Sequence, residues 1–269
     1  MRGECLGRSA HNGGSTRASL ARALRSEALK SRHAAPVRLA ASLALPFPLL
    51  AAFIALRMPQ LGLQYAPWNY WYALLMPVSI ALVAATVANA DARLGNRALL
   101  SVGVPLPLAW GAKVAWCLAL SLLSNLVVPA VYAATSLAVP QGAASMPAML
   151  AAAFALTATS SWMVPATLFL TMRAGMLAGV FVPLAVQLAL GFGWSAVPFW
   201  PACPPTATMV LPTAFLPVLP SGEPASAGMA LVESLSQADV ALALAVSCAL
   251  TAALTAAGAL WIARSEELR

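Results

Sequence analysis

Long apolar runs separated by short polar interruptions organise this chain. Stretches at 39–56, 71–90, 114–138, 146–171, 174–192 and 240–263 contain no Asp, Glu, Lys, Arg or His. Each is near or above the roughly 20 helical residues that cross about 30 Å of hydrocarbon. The pattern predicts six transmembrane helices, because a helix satisfies its own backbone groups where no water can. Pro46 and Pro48 in the first run remove backbone donors and predict a kink. Pro77 lies in the second run, and Asn125 and Pro129 lie in the third. The hydroxyls of Thr157, Thr159, Ser160 and Ser161 in the fourth are expected to bond their own helix or a neighbouring one.

The interruptions differ in kind. Residues 1–18 show no apolar periodicity and are expected to form a disordered tail, either native to the chain or left by an upstream start. From 19 onward a single domain is expected. Leu20, Leu24 and Ala28 recur at i, i+4 and i+8 beside Arg22, Arg25, Lys30 and Arg32, which predicts a short amphipathic helix in the headgroup region; such a helix also fixes topology. Tyr65, Trp68, Tyr70, Trp71 and Tyr72 form an aromatic approach to the second span, of the kind found at membrane interfaces. Gly175 and Gly179 make a GxxxG pair, open to packing within the chain or to dimerisation. The segment 193–238 is too apolar for a plain loop and too rich in proline for a span. It is expected to be a partly re-entrant hairpin on the outer side, with Trp194, Phe199 and Trp200 as candidates for handling substrate.

Composition agrees with the pattern: 61% of residues are apolar, 9% are charged, and the mean hydropathy is +0.82. A soluble domain carries about 25% charged residues, so a soluble fold is excluded. The net charge of +7 is distributed by side rather than by patch. In the six-span topology fourteen of the fifteen Lys and Arg fall on one side and Arg57 alone on the other. This is the positive-inside pattern, with both termini cytoplasmic and no nucleic acid implied as partner. Cys5, Cys117, Cys203 and Cys248 have no CxxC spacing and His11 and His33 have no nearby ligand, so no metal site is expected.

The missing chemistry is informative about mechanism. Spans without ionisable groups argue against an ion-coupled carrier, and without HExxH against an intramembrane metalloprotease. No GxxxxGK[ST] loop precedes either lysine, Lys30 or Lys113. Uphill transport by this chain would draw its energy from a partner.

Several strings, in order, resemble the membrane subunits of type-2 ABC exporters, most closely the lantibiotic-immunity permeases of the MutE/EpiE type. Leu24-Arg25-Ser26-Glu27-Ala28-Leu29-Lys30 is similar to that family's interfacial helix, and Trp68-Asn69-Tyr70-Trp71-Tyr72 to its aromatic approach to the second span. Arg97-Ala98-Leu99-Leu100-Ser101, Pro105 and Trp110-Gly111-Ala112-Lys113 resemble its inner loop. Val197-Pro198-Phe199-Trp200-Pro201, Leu211-Pro212 and Leu219-Pro220-Ser221-Gly222 resemble its outer segment. The loop here departs from the family in having no charge between Gly103 and Ala109.

The resemblance implies a non-enzymatic permease in a bacterial cell membrane, paired with a second copy or a paralogue. A separate ABC ATPase subunit would use the ATP, and no cofactor would bind the permease itself. The implied cargo is an antimicrobial peptide lifted from the outer leaflet. Within 89–113, Arg93, Arg97, Leu99, Leu100, Pro105, Trp110 and Lys113 are then candidates for coupling to the ATPase, and Leu20, Leu24, Arg25, Glu27 and Lys30 for the interfacial helix. The same loop charges also serve simply to set topology. Two alternatives stay open: a permease for another drug, lipid or polymer, and a membrane scaffold or sensor that transports nothing.

Overall fold

The computed structural model describes residues 9–32, 35–59, 66–92, 105–139 and 145–267. Among these the protein is helical, and the β contact present is a single bridge between Val218 and Pro224. Five helical stretches are long and apolar enough to cross a membrane: Ala35–Arg57, Trp68–Ala90, Leu106–Ser136, Met146–Ala174 and Gln237–Arg264. A shorter apolar helix, Met176–Phe192, has 17 residues and is about 25 Å long.

Helix α1 (Ser9–Arg32) precedes a first apolar stretch built from α2 (Ala35–Ala44) and α3 (Pro46–Arg57). The break falls at Leu45, directly before Pro46, as the missing proline N–H requires. The second stretch runs from α4 (Ala66–Tyr70) through a π-helical turn (Trp71–Leu75) into α5 (Met76–Ala92). In the π turn the Met76 N–H reaches back to the Trp71 carbonyl. Pro77 follows immediately; it has no N–H for the Ala73 carbonyl, and the wider turn makes room for its ring. The aromatic residues here serve the core: Trp68, Trp71 and Tyr72 are buried within the bundle, and Tyr70 is exposed.

Helix α6 (Leu106–Ser136) begins eight residues before the expected span, because Pro105 and Pro107 sit at its cap and first turn, where a missing donor costs nothing. Trp110 to Lys113 are therefore helical rather than part of a loop. The next stretch divides into α7 (Met146–Ser160) and α8 (Met163–Ala174). Pro165 has no N–H for the Ser161 carbonyl, which accepts from Val164 at 3.1 Å instead. The hydroxyls bond as expected, both to their own helix and across. Thr157 donates to the Ala153 carbonyl at 2.8 Å and accepts from Asn125 at 2.9 Å, and Ser161 pairs with Thr251.

A one-residue turn at Gly175, with φ of +93°, joins α8 to α9 (Met176–Phe192). Gly179 assists that hairpin: a Cβ there would lie 1.9 Å from the Thr171 Oγ1, so its smallness is used within the chain. The following segment coils through two 3₁₀ turns into α10 (Pro204–Val210), every residue of which is buried. Hydrogen bonds tie it to α9 in both directions, with Gln187 Nε2 donating to the Pro205 carbonyl at 3.2 Å and Thr206 Oγ1 donating to the Leu190 carbonyl of α9 at 3.0 Å. After α11 (Ala230–Ser234), the long α12 (Gln237–Glu267) completes the described chain.

Burial on α12 is inverted relative to a soluble helix. Ala243, Ser247, Thr251, Gly258 and Ile262 face the protein, while Leu242 and Leu260 are exposed. Small and hydroxylated residues inside with apolar residues outside is the arrangement lipid selects.

Candidate functional site

One end of the bundle collects the N-terminal part of α6, the body of α1 and the C-terminal part of α12. Glu27 and Lys113 are the chemical centre of this junction. Lys113 Nζ lies 3.2 Å from both carboxylate oxygens of Glu27, and Lys30 Nζ reaches the same carboxylate at 2.9 Å. Lys113 is 2% exposed and Glu27 5%, so the pair is withdrawn from solvent and each charge is set against the other in place of water. Next to the ion pair, Trp116 Nε1 donates to Ser31 Oγ at 2.8 Å, and Ala23 packs with Ala112 between Leu24 and Leu108. Helix α1 is thus fastened to α6 by charge, hydrogen bond and apolar contact together.

The same turn of α6 also holds the last helix. Trp110, 1% exposed, donates from Nε1 to the Thr255 carbonyl at 2.9 Å. Its ring lies so close to Gly258 that a Cβ there would sit 2.3 Å from Cζ2. Two helices distant in sequence, α1 and α12, therefore converge on Trp110 to Lys113 of α6.

The predicted residues distribute unevenly around this junction. Glu27, Lys30, Trp110 and Lys113 are brought together, and Leu24 packs beside them. Pro105 is exposed at the start of α6, where its carbonyl accepts from Leu108 at 2.9 Å and Ala109 at 3.1 Å. Arg25 and Leu20 are exposed on α1. The face of α1 turned toward the protein carries Ala23, Glu27 and Ser31, with Leu24 and Ala28 half-buried beside it and Leu20 exposed. Arg93, Arg97, Leu99 and Leu100 lie outside the described residues.

Ser31, Trp116, Thr255 and Gly258 belong to the junction and escaped the sequence reading. Ser31 stands one turn beyond Glu27, at i+4, and that spacing was the available signal. Thr255 contributes only a backbone carbonyl, for which side-chain patterns hold no signal.

The opposite end holds the three aromatic candidates. Phe199 is exposed, while Trp194 and Trp200 are half-buried; Trp200 packs on Ala207, Leu211 and Ala243. Asn69 ties this segment to the second stretch. Its Nδ2 donates to the carbonyls of Leu219 at 3.2 Å and Pro220 at 3.0 Å and to the Tyr72 hydroxyl at 2.7 Å. Gly222, with φ of +89°, comes close enough that a Cβ would lie 3.2 Å from Asn69 Oδ1. Between the two ends, Asn125 accepts from Trp71 Nε1 at 2.9 Å and donates to Thr157, linking three stretches at mid-bundle.

Comparison with protein-family models, with curated proteins and with solved structures finds no match for the chain.

Proposed function

We propose that the chain is the permease subunit of an ABC-type exporter in a bacterial cell membrane, with six spans, α9 being the fifth, and both termini cytoplasmic. The observation that carries the proposal is the junction at Trp110 to Lys113. A subunit without its own phosphate loop needs an input that converts a partner's motion into helix movement, and this turn of α6 connects directly to α1 and α12. It also follows in sequence on Arg93, Arg97, Leu99 and Leu100, the proposed docking piece for the ATPase. ATP-driven closure of two motor subunits pushes on that loop in each permease of a pair, whether of identical or different chains. The α6 junction then carries the movement into the bundle.

The proposed cargo is a lantibiotic-type peptide, and the resulting activity is self-immunity or resistance. What supports it is the aromatic and proline-rich character of the outer segment, where Phe199 is exposed beside half-buried Trp194 and Trp200. These rings offer apolar contact to a peptide leaving the outer leaflet.

The class of the protein is tested by co-purification from membranes in mild detergent with the ATPase encoded beside it. A stable complex with ATP turnover above that of the ATPase alone is expected; failure to associate would favour a scaffold or sensor. The cargo is tested by deleting the permease and measuring killing by a panel of lantibiotics. Increased sensitivity to at least one is expected. Unchanged killing across the panel removes the peptide while leaving an exporter of another substance.

A further inference from the structure

The π turn at Trp71–Leu75 stands directly after a residue that makes long-range hydrogen bonds. Asn69, 3% exposed, donates to the carbonyls of Leu219 and Pro220 and to the Tyr72 hydroxyl, so its two amide protons serve three acceptors. The two carbonyls belong to a strap at 218–224. The strap closes on itself through the bridge between Val218 and Pro224 and through the Leu219 N–H, which donates to the Glu223 carbonyl at 2.8 Å. Leu216 and Val218, each 1% exposed, lead into it and share the main core with Trp68, Trp71 and Tyr72.

A π turn holds one residue more than the α turn it stands in for. Closing this one to α geometry would rotate everything before it by about 100°, the angle of one helical residue, and carry Asn69 off the strap. Groups on both sides of that equilibrium are present. Pro77 favours the π form, because its ring would press on the Ala73 carbonyl in a regular helix. The bond from Trp71 Nε1 to Asn125 at 2.9 Å favours it too. Against it stand the poorer geometry of a π turn and Trp68, whose Nε1 is buried without a hydrogen-bond partner. A donor left in that state is costly, and closure would carry Trp68 out of its position together with Asn69.

We infer that the π turn is a register switch for the strap. In its π form it aims Asn69 at Leu219 and Pro220 and keeps the strap down. In its α form Asn69 is withdrawn, the strap lifts, and the bundle opens beside Leu216 and Val218. The two ends are linked, so whatever closes the turn releases the strap, and whatever frees the strap favours the closed turn. The switch is a property of the second stretch and the strap, and it is independent of what the chain transports.

The test is amide hydrogen exchange, read by mass spectrometry on the full chain in detergent micelles. Pro77→Ala restores an N–H that can donate to the Ala73 carbonyl and so favours the α form. Exchange is expected to slow in peptides covering 70–76 and to quicken in those covering 217–225, by about fivefold or more, the lower range of ordinary coupling between sites. Asn69→Leu, which removes the latch, should give the same pair of opposite changes. Peptides from α12 should keep the parent rate in both variants, marking an intact bundle. A part that merely loses packing would quicken at both places together. In Asn69→Leu, quickening at both places, or the parent rate at either, would overturn the inference. The same outcomes in Pro77→Ala overturn it where α12 stays protected, and where α12 is loosened Asn69→Leu alone decides.

Discussion

Lys113 on α6 faces Glu27 on α1 across 86 residues of sequence, with its ammonium 3.2 Å from both carboxylate oxygens and both side chains withdrawn from solvent. Such a pair is costly to break from one side. Removing Glu27 takes this carboxylate from the buried Lys113, at about 3–5 kcal/mol, removing Lys113 costs less because Lys30 still reaches Glu27 at 2.9 Å, and replacing both with apolar groups is often nearly neutral. Lys113→Met and Glu27→Leu should each lower the thermal midpoint of the detergent-solubilised protein, and the double variant should recover most of the loss. Additive losses in the double variant would mean that the two residues are not coupled.

The approach of α12 to α6 depends on one glycine. A Cβ at position 258 would meet the Trp110 ring at 2.3 Å, and the ring is also held by the Thr255 carbonyl. Gly258→Leu is expected to cost about 1–3 kcal/mol through overpacking, and Gly258→Ala should act in the same direction but less. Thermal unfolding checks the stability, and a changed tryptophan emission in Gly258→Ala that is absent from Gly258→Ala with Trp110→Phe assigns it to Trp110. Unchanged midpoints in both glycine variants would contradict the packing.

At the other end Asn69 anchors two carbonyls of the segment between α9 and α12. Asn69→Leu leaves the Leu219 and Pro220 carbonyls without this donor, at about 1–3 kcal/mol for groups that stay buried. The segment 221–236 should then be cut faster by protease added from the outer side in proteoliposomes, while α12 remains protected. Cleavage at the parent rate would show that other contacts hold the segment.

Much of the helical plan was legible in local chemistry. Pro46 marks the break at Leu45, and the hydroxyls of the fourth run bond where their spacing directs them; Gly175, read as half of a GxxxG pair inside the fifth run, is instead the turn before α9. The apolar run places the start of α6 too late, because the charged Lys113 ends that run; Pro105 and Pro107 suit a helix cap and first turn, and the pairing of Lys113 with Glu27 lets the helix carry a charge there. Position 27 was harder still. A lone Glu on a basic amphipathic helix looks like a solvated residue, and its burial depends on a lysine 86 residues away. The protein-facing side of α1, Ala23, Glu27 and Ser31, carries no apolar periodicity to mark it, because the protein takes the groups that need partners.

The central claim is that a partner's work enters through the loop that precedes the Lys113 junction. Its most direct test measures ATP hydrolysis by the partner ATPase reconstituted with the parent chain or with Leu99→Asp combined with Leu100→Asp, after confirming equal membrane insertion. The account predicts that the parent chain stimulates hydrolysis and that the double variant loses this stimulation. Undiminished stimulation by the variant would contradict it.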